Sequence, residues 1–329
     1  MEIVIEHNGE LFIPSVQEGI TWSTERKGSP GELKFKVVKD EKLNFTEGDA
    51  VTMIVDGVNV FYGFVFSKKR DKELIIDVTA YDQLRYLKNK DTYVYENKTA
   101  TEVIQMIVYD HFRINKDDFE EEPVLNVGVL ENTEFVIASR VEENTSLFDI
   151  IQNALDLTLQ NKNEMYVLYD DCGKITLKNI ASMQLNLVID EDTGENFDYT
   201  SSIDSNTYNR VKLTYDNEDT GTREVYIAQH GANMNEWGIL QHFETLNEGE
   251  NGQAKADALL SLYNNKTRNL SIKNAFGDVR VRAGSMVIVK MNLGDIELMN
   301  FMLVEKCKHE FKENQHLMTL TLRGGGFVA

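Results

Sequence analysis

Apolar and polar residues alternate through the stretch from Leu33 to Thr79, and such alternation, interrupted by turn residues, predicts consecutive β-strands. Turn residues stand at Asp56-Gly57 and again between Lys68 and Glu73. The pattern therefore predicts an antiparallel β-unit whose strands cover Leu33–Val37, Val51–Val55, Phe61–Phe66 and Leu74–Thr79.

The same order of elements returns near the C-terminus. Gly284 follows Leu270 by 14 residues, much as Gly48 follows Leu33 by 15. The strands predicted there cover Leu270–Lys273, Met286–Lys290, Phe301–Val304 and Leu317–Leu322, with a turn around Gly294-Asp295. Few residues are identical between the two stretches, but the order of the elements, the position of the turn and the spacing agree. An internal repeat of this kind indicates that the fold is built from two similar units. We interpret the chain as two copies of one antiparallel β-unit.

A change of period from two to about 3.6 sets the middle of the chain apart. Thr99-Ala-Thr-Glu102 fits a capping box and predicts a helix over residues 100–112. A second helix is predicted from Asn144–Ser146, and a β-hairpin is predicted from Met165–Tyr169 and Lys174–Lys178. We expect a small α+β domain between the two β-units.

The predicted fold class is therefore β-rich α+β, with two antiparallel β-units flanking the small domain, and short strands with glycine-rich turns are typical of a sandwich or a barrel. We expect the first such unit at 1–92, ending in a short helix within Ala80–Leu87, and the α+β domain at 93–196. The second unit is expected at 197–329, with strands Arg210–Tyr215 and Glu224–Ala228 and a helical insertion near 230–266.

Composition limits the classes of function. A hydrophobic fraction of 42% is enough for real cores, and a net charge of -20 argues against a surface that binds nucleic-acid phosphates. The two cysteines, Cys172 and Cys307, lie far apart and suggest a reducing compartment rather than a disulfide framework. Met1–Ile5 has no features of a signal peptide, and no apolar run is long enough to span a membrane.

Asp-Thr-Gly occurs twice, beginning at Asp192 and Asp219. An aspartic peptidase needs two such aspartates sharing one proton on loops supported by apolar strands. Both copies here follow a glutamate and stand close together in sequence, so we expect two β-turns, with a peptidase as a competing interpretation. The acidic run 190–198 could offer oxygens to calcium, but it lacks the twelve-residue loop ending in glutamate. We expect a solvated inter-domain loop and leave a bound metal there open.

The histidines show no zinc-binding spacing, and no Gly-x-Ser-x-Gly motif is present. His309 and His316 flank a predicted hairpin turn and could face each other, with a surface pair as the expectation. Neither cysteine has an adjacent base, and Gly324–Gly326 is not followed by a helix that could bind phosphate. We predict a protein that is not an enzyme, with no catalytic, cofactor-binding or metal-ligating residue. The histidines are His7, His111, His230, His242, His309 and His316.

Three stretches together resemble the baseplate hub proteins of contractile tails. The resemblance is to the XkdQ-like branch of prophages and phage-tail-like bacteriocins, which is related to the late control D proteins of phages. It covers nearly the whole chain, although each stretch alone is a strand and turn pattern. The residues that carry it are Asp77–Leu87 with Tyr95 and the helix at Ala100, Ser202–Lys212, and Phe301–His309 with His316–Leu320.

The resemblance implies that each chain carries two barrels similar to the tail-tube protein. A homotrimer would then present six barrels and adapt the six-fold tube to a three-fold central spike. Implied partners are the tail tube protein, a separate central spike protein, and other baseplate and tape-measure proteins. Sequence-specific nucleic-acid binding and membrane insertion are not expected.

Assembly is expected in the bacterial cytoplasm, in a tail or baseplate released on lysis. A DNA-carrying phage and a DNA-free bacteriocin both remain open. A competing interpretation from another class is a β-rich adhesin that binds cell-surface glycan.

Overall fold

The computed structural model describes residues 1–72, 74–111, 127–204, 206–217, 220–246, 250–294 and 296–324. Within these ranges, strands dominate and helices are few. The strands are β1 Glu2–His7, β2 Glu10–Phe12, β3 Ile20–Glu25, β4 Glu32–Val38, β5 Ala50–Val55, β6 Val58–Arg70, β7 Ile75–Tyr81, β8 Lys90–Thr99, β9 Val127–Leu130, β10 Val136–Ser146, β11 Tyr166–Asp170, β12 Ile175–Asn179, β13 Gln184–Asp190, β14 Asn196–Ser202, β15 Arg210–Asn217, β16 Thr222–Gln229, β17 Gln241–Thr245, β18 Thr267–Phe276, β19 Met286–Asn292, β20 Glu297–Lys312 and β21 Gln315–Gly324. The α-helices are α1 Ala100–His111, α2 Leu147–Lys162, α3 Gly231–Trp237 and α4 Gly252–Tyr263.

One 13-stranded, mostly antiparallel sheet contains strands from both ends of the chain. Its main path runs β14-β18-β21-β20-β3-β4-β7-β6-β5-β1-β2, and β19 pairs with β20 and with β13 beside that path. All eight strands predicted for the two copies of the repeat are present, at β4–β7 and β18–β21. Asp295 of the predicted second turn lies outside the described residues.

The two halves of this sheet share one pairing order. In the first half β4 pairs with β7, β7 with β6 and β6 with β5. In the second half β18 pairs with β21, β21 with β20 and β20 with β19. The agreement confirms the repeat in element order that the sequence predicts.

Matching glycines lie two residues before the second strand of each copy. Gly48 and Gly284 have φ angles of 93° and 95°. The Gly48 N–H donates to the Val65 carbonyl at 2.7 Å, and the Gly284 N–H donates to the Val304 carbonyl at 2.8 Å. A positive φ is inexpensive only for glycine, so this shared turn explains why both copies carry glycine there.

Each half also curls back on itself. The N–H of Gln17 donates to the Lys36 carbonyl at 2.8 Å, which ties the segment after β2 to β4. In the second half the N–H of Glu195 donates to the Lys273 carbonyl at 3.2 Å, which ties the segment after β13 to β18. Each curled half encloses its own apolar core, the first around Ile5, Leu33 and Met53 and the second around Leu270, Val287 and Leu320.

The middle of the chain forms a separate α+β layer. Antiparallel β8 and β10, helices α1 and α2, and a small sheet of β9, β11 and β12 surround a third apolar core. The predicted capping box is present, since the Thr99 N–H donates to Glu102 at 2.7 Å and the Glu102 N–H donates to Thr99 Oγ1 at 3.3 Å. The hairpin β11–β12 is also as predicted, whereas residue 112 of the predicted helix lies outside the described residues.

Two segments lie in different sheets from those expected. Strand β13 pairs with β19 of the second half, although its residues were expected in the middle domain. Strands β15 and β16 form a separate three-stranded sheet with β17, packed against α4, whereas the sequence placed them in the second β-unit. The insertion between β14 and β18 therefore begins before residue 230. The short helix expected within Ala80–Leu87 is a 3-10 helix at Gln83–Lys88, because β7 continues to Tyr81.

Candidate functional site

The two halves of the large sheet meet where β3 pairs antiparallel with the C-terminal part of β20. We call this pairing the strand junction. Arg26, at the end of β3, donates from Nε and Nη2 to the two Glu305 carboxylate oxygens at 2.8 and 2.9 Å. The Arg26 side chain is only 5% exposed, so this two-bond ion pair is well shielded from water. Lys306 and Glu25 add a second, more exposed pair at 2.7 Å.

An aromatic stack fills the core side of the strand junction. Trp22 on β3 and His309 on β20 stack with ring centroids 4.7 Å apart and planes 16° apart. His309 Nε2 lies 2.8 Å from the Val281 carbonyl, and its Nδ1 lies 2.8 Å from His316 Nε2. The carbonyl can only accept, so His309 donates from Nε2 and accepts at Nδ1 from His316.

The expectation of a surface histidine pair is wrong, although the two rings do face each other. His309 is fully buried, and burial lowers its pKa to about 4. His316 is half-buried, and burial lowers its pKa as well. Two neutral rings therefore form part of the packing at the strand junction rather than a pH sensor at the surface.

A buried carboxylate pair lies where both halves meet the middle layer. Asp82 accepts from the backbone N–H groups of Gly31 at 2.8 Å and Leu84 at 3.0 Å. Asp170 accepts from Gly173 N–H at 2.5 Å and from Gln83 at 3.3 Å. Desolvation raises the pKa of both carboxyls, to about 6 for Asp170, while the Arg282 charge opposes the rise.

This carboxylate pair was not predicted. In the sequence, Asp82 precedes a short helical segment and Asp170 opens a turn, so each is explained locally as a cap or turn residue. Their common burial depends on packing between segments about ninety residues apart, which no local pattern reports. The pair ties three parts of the fold together.

The other sequence candidates lie apart. Asp192 is exposed, and the turn is held by Asp190, whose carboxylate accepts from Thr193 Oγ1 at 2.9 Å and from Thr193 N–H at 3.1 Å. This is the first predicted β-turn. Asp219 lies outside the described residues. In the acidic run, Glu195 accepts from Asn274, and Asp198 pairs with Lys273 at 3.0 Å, so these carboxylates point to β18.

The thiols are shielded. Cys307 is buried and Cys172 is partly exposed, and burial raises the pKa of both. A raised pKa disfavours the reactive thiolate. Among the described residues, no group of three or more His, Cys, Asp or Glu side chains is placed to hold a metal ion. Gly324 ends β21 against Met302, and residues 325 and 326 lie outside the described ranges.

The large sheet has several open strand edges: among the described strands β2 pairs with β1 alone and β13 with β19 alone, and two further edges correspond through the repeat to the strands of the strand junction. Strand β14 ends the main path and pairs with β18 alone among the described strands. The C-terminal part of β6, from Ser67 to Arg70, pairs with β7 on one side, and β5 covers only the earlier residues on the other side. Unpaired strand edges are ready sites for association with another chain. Phe197 on β14 is 37% exposed, which adds an apolar contact to this edge.

The described part of the chain contains no helix that is both long and apolar enough to cross a membrane. Open strand edges are surfaces at which a sheet can bind another protein.

The family model described as YqbQ-like matches residues 20–323. The phage-like element PBSX protein XkdQ of Bacillus subtilis is 29% identical over 321 residues, which cover 94% of this chain and 93% of XkdQ. The 43 kDa tail protein of prophage MuSo2 from Shewanella oneidensis superposes with a TM-score of 0.68 at 11% identity, covering 98% of each chain. The E. coli protein c3393 superposes with a TM-score of 0.57 at 10% identity, covering 99% of this chain and 78% of c3393. That protein is described as a type VI secretion component similar to the T4 tail proteins gp27 and gp5.

Proposed function

The chain belongs to the YqbQ-like family, and from this premise we propose that it is the structural hub of a contractile-tail baseplate, without enzymatic activity. In this proposal three copies form a ring of six tube-like barrels. The ring joins the six-fold tail tube on one side to a three-fold central spike on the other. Other baseplate and tape-measure proteins complete the assembly.

The observation that carries the proposal is the repeated half of the large sheet. Two units with the same strand order lie side by side in one chain, joined by β3 and β20. A trimer of such chains has exact three-fold symmetry and, because it contains six similar units, approximate six-fold symmetry. Such a trimer can bind a six-fold neighbour on one side and a three-fold neighbour on the other. The fold shared with phage tail proteins supports the same role.

We propose that each curled half is one barrel. The first comprises β1–β7, and the second comprises β13, β14 and β18–β21. The middle layer and the insertion carrying β15–β17 then lie outside the ring of barrels. The residues that make up each barrel differ from the sequence expectation because β13 joins the second half, while β15 and β16 leave it.

The test is the mass of the purified full chain in solution, measured by light scattering, with negative-stain images of the same sample. We expect three times the monomer mass and rings with six lobes around a central hole. The measurement is repeated after mixing with the tail tube and spike proteins of the same particle. A chain that stays monomeric both alone and with these partners, or that forms even-numbered assemblies, would contradict the hub proposal.

A further inference from the structure

We propose that the ring is closed by one defined strand pairing, in which β14 of one copy adds antiparallel to the end of β6 in the next copy. The register is the one that β3 holds on β20 within each chain. This inference rests on the trimeric hub proposed above and names the surface that would hold it together.

The receiving strands, β6 and β20, correspond residue by residue. Each carries an irregularity at the same place in its pairing with the following strand. Val65 pairs with Ala80 and Ser67 with Thr79, while Val304 pairs with Leu322 and Lys306 with Thr321. A β-bulge fixes the register of both strands around it. Ser67 therefore corresponds to Lys306, and Arg70 corresponds to His309.

The added strands, β3 and β14, correspond in the same way. Trp22 pairs with Leu33, and Leu33 pairs with Ala80. Tyr199 pairs with Leu270, and Leu270 pairs with Leu322. Since Ala80 and Leu322 are equivalent, Tyr199 corresponds to Trp22. Counting along the strand, Thr200 corresponds to Ser23 and Ser202 to Glu25.

The two correspondences together give the register between copies. Within the chain, Lys306 pairs with Glu25 and His309 pairs with Trp22. The pairing between copies is therefore Ser67 with Ser202, Lys68 with Ser201, Lys69 with Thr200 and Arg70 with Tyr199. Strand β6 ends at Arg70, so Asp71 does not enter the ladder.

The side chains at these positions complement one another. Arg70 takes the place of His309, which stacks on Trp22, so its guanidinium faces the Tyr199 ring in a cation–π contact. Phe66 and Ile203 take the places of Glu305 and Arg26, so an apolar contact replaces the buried ion pair. Both Phe66 and Ile203 are only partly buried in the single chain.

Charge also favours the pairing. The end of β6 carries Lys68, Lys69 and Arg70, whereas the segment leading into β14 carries Glu191, Asp192 and Glu195. In the proposed register these acidic residues lie beyond Arg70 rather than opposite the basic ones, so the opposite charges speed the encounter of the two regions without adding ion pairs to the ladder. Two β14 edges or two β6 edges brought together would bring like charges together.

The pairing is head-to-tail, because β14 and the end of β6 are different surfaces of the same chain. A heterologous contact of this kind repeats until it closes a ring or grows into a filament. The strand junction within each chain is a pairing of the same kind, between an added strand, β3, and a receiving strand, β20. Every joint around the ring would then be a strand pairing of one type, half of them within chains and half between them.

Cysteine cross-linking tests the register. The variant Lys69→Cys/Thr200→Cys places one thiol on each free edge, in a Cys172→Ser background. The matched control is Lys308→Cys/Ser23→Cys, the equivalent positions at the strand junction. Because Arg26 N–H donates to the Glu305 carbonyl at 3.0 Å, alternation along the ladder makes Ser23 and Lys308 a non-hydrogen-bonded pair. Cα atoms in such pairs are about 4.5 Å apart, within the range that disulfides bridge.

After mild oxidation, the control should form a disulfide within one chain and keep the monomer mass on a non-reducing gel. The test variant should instead give covalent dimers and trimers that stop at three chains, and Lys69→Cys alone should give none. Peptide mapping should find the disulfide between positions 69 and 200.

The outcomes separate the two proposals. If light scattering shows a trimer and the control cross-links but the test variant does not, the proposed strand pairing is wrong and the hub proposal stands. A cross-linked ladder that continues past three chains overturns the closed ring. A chain that remains monomeric with and without its tail partners and gives no cross-link overturns both.

Discussion

The equivalent glycines Gly48 and Gly284 allow one substitution to be compared at two positions with the same backbone. Both have a positive φ, at 93° and 95°. A Cβ built at Gly48 meets nothing within 4 Å, whereas a Cβ at Gly284 comes within 2.7 Å of Val167 Cγ1. Val167 is 2% exposed and belongs to the core between the middle layer and the second half.

We expect Gly48→Ala to lower the free energy of unfolding by about 1–2 kcal/mol, the cost of a left-handed conformation for a residue with a Cβ. Gly284→Ala pays the same backbone cost and about 1–3 kcal/mol more, because the new methyl group overpacks a closed core. The total at Gly284 should therefore be about 2–5 kcal/mol.

The assay is urea denaturation followed by tryptophan fluorescence, with both single variants measured beside the parent protein. The Val167→Ala background supplies the control, because it opens the space that the new methyl group needs. In that background most of the extra cost at Gly284 should disappear, because both methyl carbons are removed while Val167 Cβ, 3.1 Å from the new methyl group, stays; the cost of Gly48→Ala should not change. Equal costs for the two glycines, or an extra cost that Val167→Ala does not relieve, would refute the reasoning.

Two further predictions concern carboxylates. Burial raises the pKa of Asp170 from its usual 3.8 to about 6. The contribution of this raised pKa to the free energy of unfolding is therefore fully present below pH 3.8 and is lost as the pH rises through 6. Between pH 5 and pH 7.5 the free energy of unfolding of the parent protein should fall by about 1 kcal/mol more than that of Asp170→Asn. If urea denaturation gives the same pH dependence for both proteins, burial does not control the pKa of Asp170. Asp190→Ala should cost about 1 kcal/mol because it removes the acceptor that holds the turn, whereas exposed Asp192→Ala should change the urea midpoint little; a larger effect at Asp192 would contradict the β-turn.

The repeat could be predicted from the sequence because its signals are local. Alternation along a strand reports one buried face, and a glycine such as Gly48 reports a turn that needs a positive φ. The capping box at Thr99 is local in the same sense. These features depend on residues within a few positions of one another, so the sequence contains them directly.

Sheet membership could not be predicted because it depends on distant partners. The alternation in β15 is the same whether its buried face meets a barrel core or α4, and α4 begins only at Gly252. Likewise, β13 has the pattern of a half-buried strand, but its partner β19 begins about a hundred residues later. Alternation identifies a buried face without identifying what covers it.

The burial of polar residues could not be predicted from the sequence for a related reason. His309 reads as an ordinary strand residue beside a turn, and only the stack on Trp22, from the opposite end of the chain, makes it a core residue. Asp82 has the same character, since its cap to Leu84 is local while its burial is not.

The strand junction also sets a delay in biosynthesis. Arg26 and Glu305 are separated by 279 residues, so β3 is made long before its partner β20. At roughly 5–20 residues per second, the ribosome needs roughly 15–55 seconds to supply that partner. Through this interval the first half has its own core but an open β3 edge. In a polysome, neighbouring nascent chains expose the same edge at the same time, so the spacing of ribosomes along the message affects how often the chain pairs with itself rather than with a neighbour.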